Sequence, residues 1–142
     1  MLECDSQIRE RAVWALMEMN EKFASPPITK LLEDPDPRVR GRAAYALAKL
    51  DGTSAPKINK LLDDEDSEVR GYAMLALGTL KEKTAVRRIA ESLKDPEPWI
   101  QTSAAEALSL LSGEKWTGDT VEAASDWWEL HKNDPEYFPP KK

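Results

Sequence analysis

Apolar residues recur along this chain in a fifteen-residue block that returns four times, at Asp5 to Met19, Asp36 to Leu50, Asp66 to Leu80 and Glu97 to Leu111. The spacings of 31, 30 and 31 residues are those of stacked helical units rather than of a closed globule. Counting columns from the first residue of each block, the fourth holds Ile8, Val39, Val69 and Ile100, and the eighth Ala12, Ala43, Ala73 and Ala104. The eleventh holds Ala15, Ala46, Ala76 and Ala107, the twelfth Leu16, Leu47, Leu77 and Leu108, and the last Met19, Leu50, Leu80 and Leu111. This is one apolar stripe at helical spacing, so each block predicts an amphipathic helix with alanines that let neighbours approach. Asp36 before Pro37 and Glu97 before Pro98 predict helix starts, and Gly52 and Gly113 mark helix ends.

Between the blocks runs a shorter pattern, opened by Ser25-Pro26-Pro27, by Ser54-Ala55-Pro56 and by Thr84. Its apolar positions are Ile28, Leu31 and Leu32, then Ile58, Leu61 and Leu62, then Val86, Ile89 and Leu93. Each unit therefore reads as a helical hairpin stacked on the next. The prediction is an all-α, right-handed α-solenoid of about four hairpins. Residues 1–112 form the array, with a half-repeat at 1–20 and repeats at 25–50, 54–80 and 84–112; residues 113–142 form a tryptophan-rich capping helix and tail.

The runs from Leu32 to Arg40 and from Leu62 to Arg70, each followed by an alanine-rich helix, resemble bacterial HEAT-like repeats of the phycobilin-lyase type. The resemblance covers about residues 2–112. It implies the solenoid fold, and a range of roles that includes scaffolds, chaperone-like subunits, cofactor lyases and a few metal enzymes. In such repeats the fifth column pairs with acidic residues of the turn. The resemblance thus implies an arginine ladder in which Arg9, Arg40 and Arg70 meet Asp34, Asp36, Asp64 and Asp66, with Gln101 departing from it.

Trp116-Thr117-Gly118, leading into Val121, Ala124, Trp127, Trp128 and His131, resembles the tail that follows such arrays, where an atypical unit covers the last apolar face. Trp127 and Trp128 cannot point the same way, so one is expected to be open to a partner. The tail from Glu136 to Lys142 is too short for an element and either packs back or reaches outward. At the other end, residues 1–5 align with 32–36, so the chain begins where a short helix should have finished. Ile8, Leu16 and Met19 cannot all be shielded by one following unit. Either preceding residues were removed, as with a cleaved export signal, or another chain supplies the cover; self-association through this half-repeat is the expectation, with the open-end dimer favoured over head-to-tail stacking.

Composition narrows the functions. The net charge is −6, and the acidity gathers after residue 50, which disfavours a phosphate backbone as ligand. No stretch approaches the length of a membrane span, and the first residues lack the basic and apolar regions of a signal peptide. The expectation is a soluble protein, cytoplasmic or, after loss of an export signal, periplasmic. The one cysteine, Cys4, excludes an internal disulfide and reads as a bystander. With one histidine, His131, the paired His-Glu steps of metal-binding repeats lack their ligands, and no Cys or Ser has a His base, so neither catalysis nor a cofactor is expected.

Columns three, seven, ten and fourteen lie on an exposed ridge. The tenth reads Trp14, Tyr45, Leu75, Glu106, and with Arg38, Arg42, Tyr72 and Trp99 it has the composition of interface hot spots. The expectation is a protein-interaction scaffold, an adaptor or assembly subunit of a larger bacterial complex, binding another protein through its concave helical surface. Trp116, Trp127 and Trp128 form a possible second patch. The alternative is a cofactor-handling lyase or maturation chaperone.

Overall fold

The structure, a computed structural model, describes residues 2–20 and 22–136. Four long helices carry the four blocks: α1 (Leu2–Met19), α3 (Pro37–Leu50), α5 (Ser67–Thr79) and α7 (Pro98–Ser112). Short helices α2 (Ser25–Lys30), α4 (Ala55–Asn59) and α6 (Val86–Glu91) alternate with them, each tightening into a 3₁₀ turn before the next long helix. The last helix is α8 (Thr120–His131). The described residues contain no strand, and the architecture is the expected α-solenoid. The tail residues 137–142 lie outside the described residues.

The starts are built from local chemistry. Asp36 and Asp66 cap α3 and α5 by accepting the backbone N–H of Arg38 and Glu68, both at 2.9 Å. Glu97 occupies the same place before α7, but its side chain makes no capping bond, and Pro98 carries that start. Two residues earlier, Asp34, Asp64 and Asp95 each accept the backbone N–H two positions on, all at 2.9 Å, which closes the turn from short to long helix. The predicted stop at Gly113 is a left-handed residue with φ 79°, where glycine avoids the Cβ clash. Helix α3 ends at Leu50 as expected, with Asp51 as the C-cap and Gly52 just beyond it; the Asp51 carboxylate turns the chain by accepting the N–H of Thr53.

Each short helix packs on the long helix that follows it, and each long helix packs on the next. The long helices of the inner units therefore have two buried faces. Val39, Ala43, Ala46, Leu47 and Leu50 form the expected stripe on α3, and the same columns are buried on α7, with Leu80 half-buried at the end of the α5 row. A second seam, toward the next long helix, is made by the ninth column, where Val13, Ala44, Met74 and Ala105 are all buried. Glycine makes this seam close: a Cβ on Gly78 would lie 3.0 Å from the carbonyl oxygen of Ala107.

In α1 the predicted stripe is not core. Ile8 is 63% and Met19 56% exposed, Ala12 and Ala15 are exposed, and Leu16 is half-buried. The helix turns the other face inward, burying Ser6 and Val13 against α3 with Met17 beside them. The physical reason is that no described element lies where α2 lies on α3. Residues Leu2 to Asp5, aligned in sequence with a turn, instead extend the helix by a turn.

Candidate protein-binding surface

The arginine ladder orients the long helices. Arg9 of α1 makes two hydrogen bonds to the Asp34 carboxylate, at 2.7 and 3.0 Å, and Arg40 of α3 makes two to Asp64, both at 3.0 Å. Both carboxylates are largely buried, so these forked contacts fix the register of one unit on the next. Burial works against the charge of Asp34, but the Arg9 guanidinium and the Asp36 N–H outweigh it and hold the carboxyl below its usual range. Asp36 itself is held at about 2, chiefly by the side chain of Arg38. The rest of the ladder differs from the expectation. Asp36 forms its ion pair with Arg38 rather than with a fifth-column arginine, and the Asp66 carboxylate caps α5 and acts on Arg40 only through its charge. Arg70 donates to the carbonyls of Asp64 and Glu65 in its own turn. Gln101 takes over that task in the last unit by donating to the Asp95 carbonyl.

On the ridge the structure brings four of the predicted residues into one row, one from each long helix: Trp14, Arg42, Tyr72 and Trp99. The Arg42 guanidinium lies 5.7 Å from the centre of the Trp14 ring and 4.8 Å from that of Tyr72, and it donates a hydrogen bond to the Tyr72 hydroxyl. Tyr72 and Trp99 meet edge to face with centroids 6.1 Å apart. Glu10 completes the row by accepting from Arg42 at 3.0 Å.

Two glycines make the row possible. A Cβ on Gly41 would lie 2.9 Å from the Tyr72 ring, and one on Gly71 would lie 3.0 Å from the Trp99 ring, so each aromatic is seated in a slot left by the previous helix. Trp14 and Trp99 remain 41% and 43% exposed, and Ser67, Glu68, Tyr72 and Trp99 line a shallow groove of about 430 Å³. Glu10, Gly41 and Gly71 were not singled out in the sequence, although the two glycines recur at the 30-residue period in the sixth column.

The other predicted ridge residues are placed differently. Tyr45 is half-buried beneath the Lys49 ammonium, 5.3 Å from its ring centre, and Leu75 is half-buried. Arg38 is exposed but bridges helices, contacting Asp36 and the hydroxyl of Ser6 on α1. In α7 the seventh column is Ser103, which is buried, so the row ends at Trp99.

At the far end α8 packs on α7. Asp119 caps it by accepting from Val121 and Glu122. Trp127 is buried, stacked on His131 at 4.7 Å and tilted against half-buried Trp116 at 6.5 Å. Trp128 faces away from that cluster, half-buried under the Arg87 guanidinium at 5.7 Å, beside a groove of about 280 Å³ shared with Ala90, Leu93 and Lys94. The two neighbouring tryptophans thus point in different directions, and Trp127 is core rather than surface.

Among the described residues no group of His, Cys, Asp and Glu is gathered as a metal site, and no helix is long and apolar enough to cross a membrane. A comparison with curated proteins returns no match. The HEAT repeats family matches residues 2–58 and 55–135, which spans both the array and α8. Through that match and the stacked hairpins described above, the chain belongs to the HEAT-repeat family.

Proposed function

We propose that this protein is an interaction scaffold, an adaptor or assembly subunit of a larger bacterial complex, that holds another protein on the long-helix ridge. HEAT repeats generally mediate protein–protein interaction. The observation that carries the reading is the row Trp14, Arg42, Tyr72, Trp99, an aromatic and arginine surface held rigid by the Gly41 and Gly71 slots. Preorganised aromatics and arginine are what interface hot spots are made of, because little side-chain freedom remains to be lost on binding. The row is filled by its own interlocked side chains and offers a wall rather than an enclosed cavity. That favours a protein partner over a prosthetic group held by a cofactor-handling lyase or maturation chaperone.

The test is the double variant Trp14→Ala/Trp99→Ala, compared with the wild type for affinity toward the partner recovered from the native host. Both side chains are substantially exposed, so the fold should survive while affinity falls by two orders of magnitude or more, about 3 kcal/mol. Unchanged affinity would move the site to the patch around Trp116 and Trp128. A chromophore absorbing in the purified protein would favour the cofactor reading instead.

A further inference from the structure

The uncovered face of α1 lies beside the ridge columns and has its own chemistry. Ile8, Ala12, Ala15 and Met19 follow one another at steps of four, three and four residues, which sets them in a single stripe. Ile8 and Met19 are more than half exposed and the two alanines between them are exposed. The order large, small, small, large reads the same in both directions about a point between Ala12 and Ala15. One edge of the stripe borders the face that packs on α3. The other is edged by Arg11 and Glu18, both exposed.

We infer that this stripe is a two-fold interface with a second copy of the same chain, in which two α1 helices pack antiparallel. An antiparallel pair centred between Ala12 and Ala15 sets Ile8 of one copy against Met19 of the other and Ala12 against Ala15. The small central residues let the helix backbones approach, and the large outer ones close the ends. In this register Glu18 of the other copy lies two residues, about 3 Å along the axis, from the position opposite Arg11, within reach of these long side chains on the same edge, giving two ion pairs along the solvent edge. A parallel pairing would instead set Arg11 against Arg11 and Glu18 against Glu18. Charge and shape therefore select the same arrangement, and a self-complementary patch of this kind closes as a dimer without growing into a filament. The helices overlap over residues 8–19, a contact one helix wide and about 18 Å long, smaller than a standard interface, so the dimer is expected to be weak and concentration-dependent.

Light scattering or sedimentation of the full chain across a hundredfold concentration range tests this. The expected result is a rise from one chain to two. Ala12→Glu, at an exposed helical position, should abolish the rise while leaving the helical spectrum and melting curve intact. Arg11→Glu alone and Glu18→Arg alone each set like charges opposite one another and should weaken the dimer several-fold, whereas Arg11→Glu/Glu18→Arg together should restore it. A mass of one chain throughout the range would overturn the inference and leave the stripe to a helix from a different protein. A dimer indifferent to Ala12→Glu, or one that the double exchange fails to restore, would equally overturn it, because the interface or its register would be wrong. The ridge variant Trp14→Ala/Trp99→Ala should dimerise like the wild type, which separates this inference from the proposed function.

Discussion

The first and second long helices carry nearly the same residues in the same columns, yet Ile8 is 63% exposed where its counterpart Val39 is fully buried, and Met19 is 56% exposed where Leu50 is buried. The difference lies outside both helices. α2 and its 3₁₀ turn lie on α3, and nothing among the described residues lies correspondingly on α1. In a repeat array the sequence of a unit specifies which face is apolar, and the neighbour decides whether that face is core. The third term of the comparison is α7, whose outer side is covered by a helix of different sequence, α8, through buried Trp127.

The largest expected effect is at that covered end. Trp127→Ala should destabilise the protein by about 3–5 kcal/mol, because it removes a buried indole packed between Trp116 and His131. A calorimetric loss well below that would mean that α8 contributes as little cover as α1 receives. Next, Leu47→Ala, in the middle of the covered stripe, should cost about 2–5 kcal/mol. In the same denaturant series Ile8→Ala should cost no more than about 0.5 kcal/mol. Equal losses at the two sites would dissolve the contrast between the helices.

Gly78→Ala sharpens the account of the between-unit seam. Its new Cβ would press on the Ala107 backbone at 3.0 Å, which cannot rotate aside. The expected cost is about 1–3 kcal/mol of overpacking, offset in part by alanine's better helix propensity. A stabilised variant would show that α5 and α7 separate freely. The smallest effect is electrostatic. Asp34 and Asp36 have folded-state pKa values below those of the unfolded chain, so the unfolded state binds protons first as the solution is acidified. Their contribution is fully present above about pH 4 and is lost as pH falls through the folded value, about 2 for Asp36. The melting temperature should drop across that window, and Asp36→Asn should flatten the slope.

The repeat period, the short and long helices and the covered stripe of the inner units were legible because columns repeat and each copy confirms the others. The ninth column was equally legible, being apolar in all four blocks as Val13, Ala44, Met74 and Ala105, but a search for one stripe per helix passes over a helix with two buried faces. The ridge composition could be read from the sequence, whereas its packing could not. That Tyr72 and Trp99 seat themselves over Gly41 and Gly71 depends on the offset between adjacent helices, which is a property of the assembled array. The pairing of Arg9 with Asp34 and of Arg40 with Asp64, rather than with Asp36 and Asp66, depends on the same offset.

Thiol accessibility tests the central contrast most directly. With Cys4 replaced by serine, Ala12→Cys and Ala43→Cys place one thiol in the eighth column of α1 and of α3, and each is reacted with a small reagent at a protein concentration low enough to keep chains apart. The account predicts that the thiol at position 12 reacts about as fast as in an unfolded peptide, while that at position 43 reacts only through global unfolding. Comparable protection at both positions would contradict it, because the face of α1 would then be covered within the single chain.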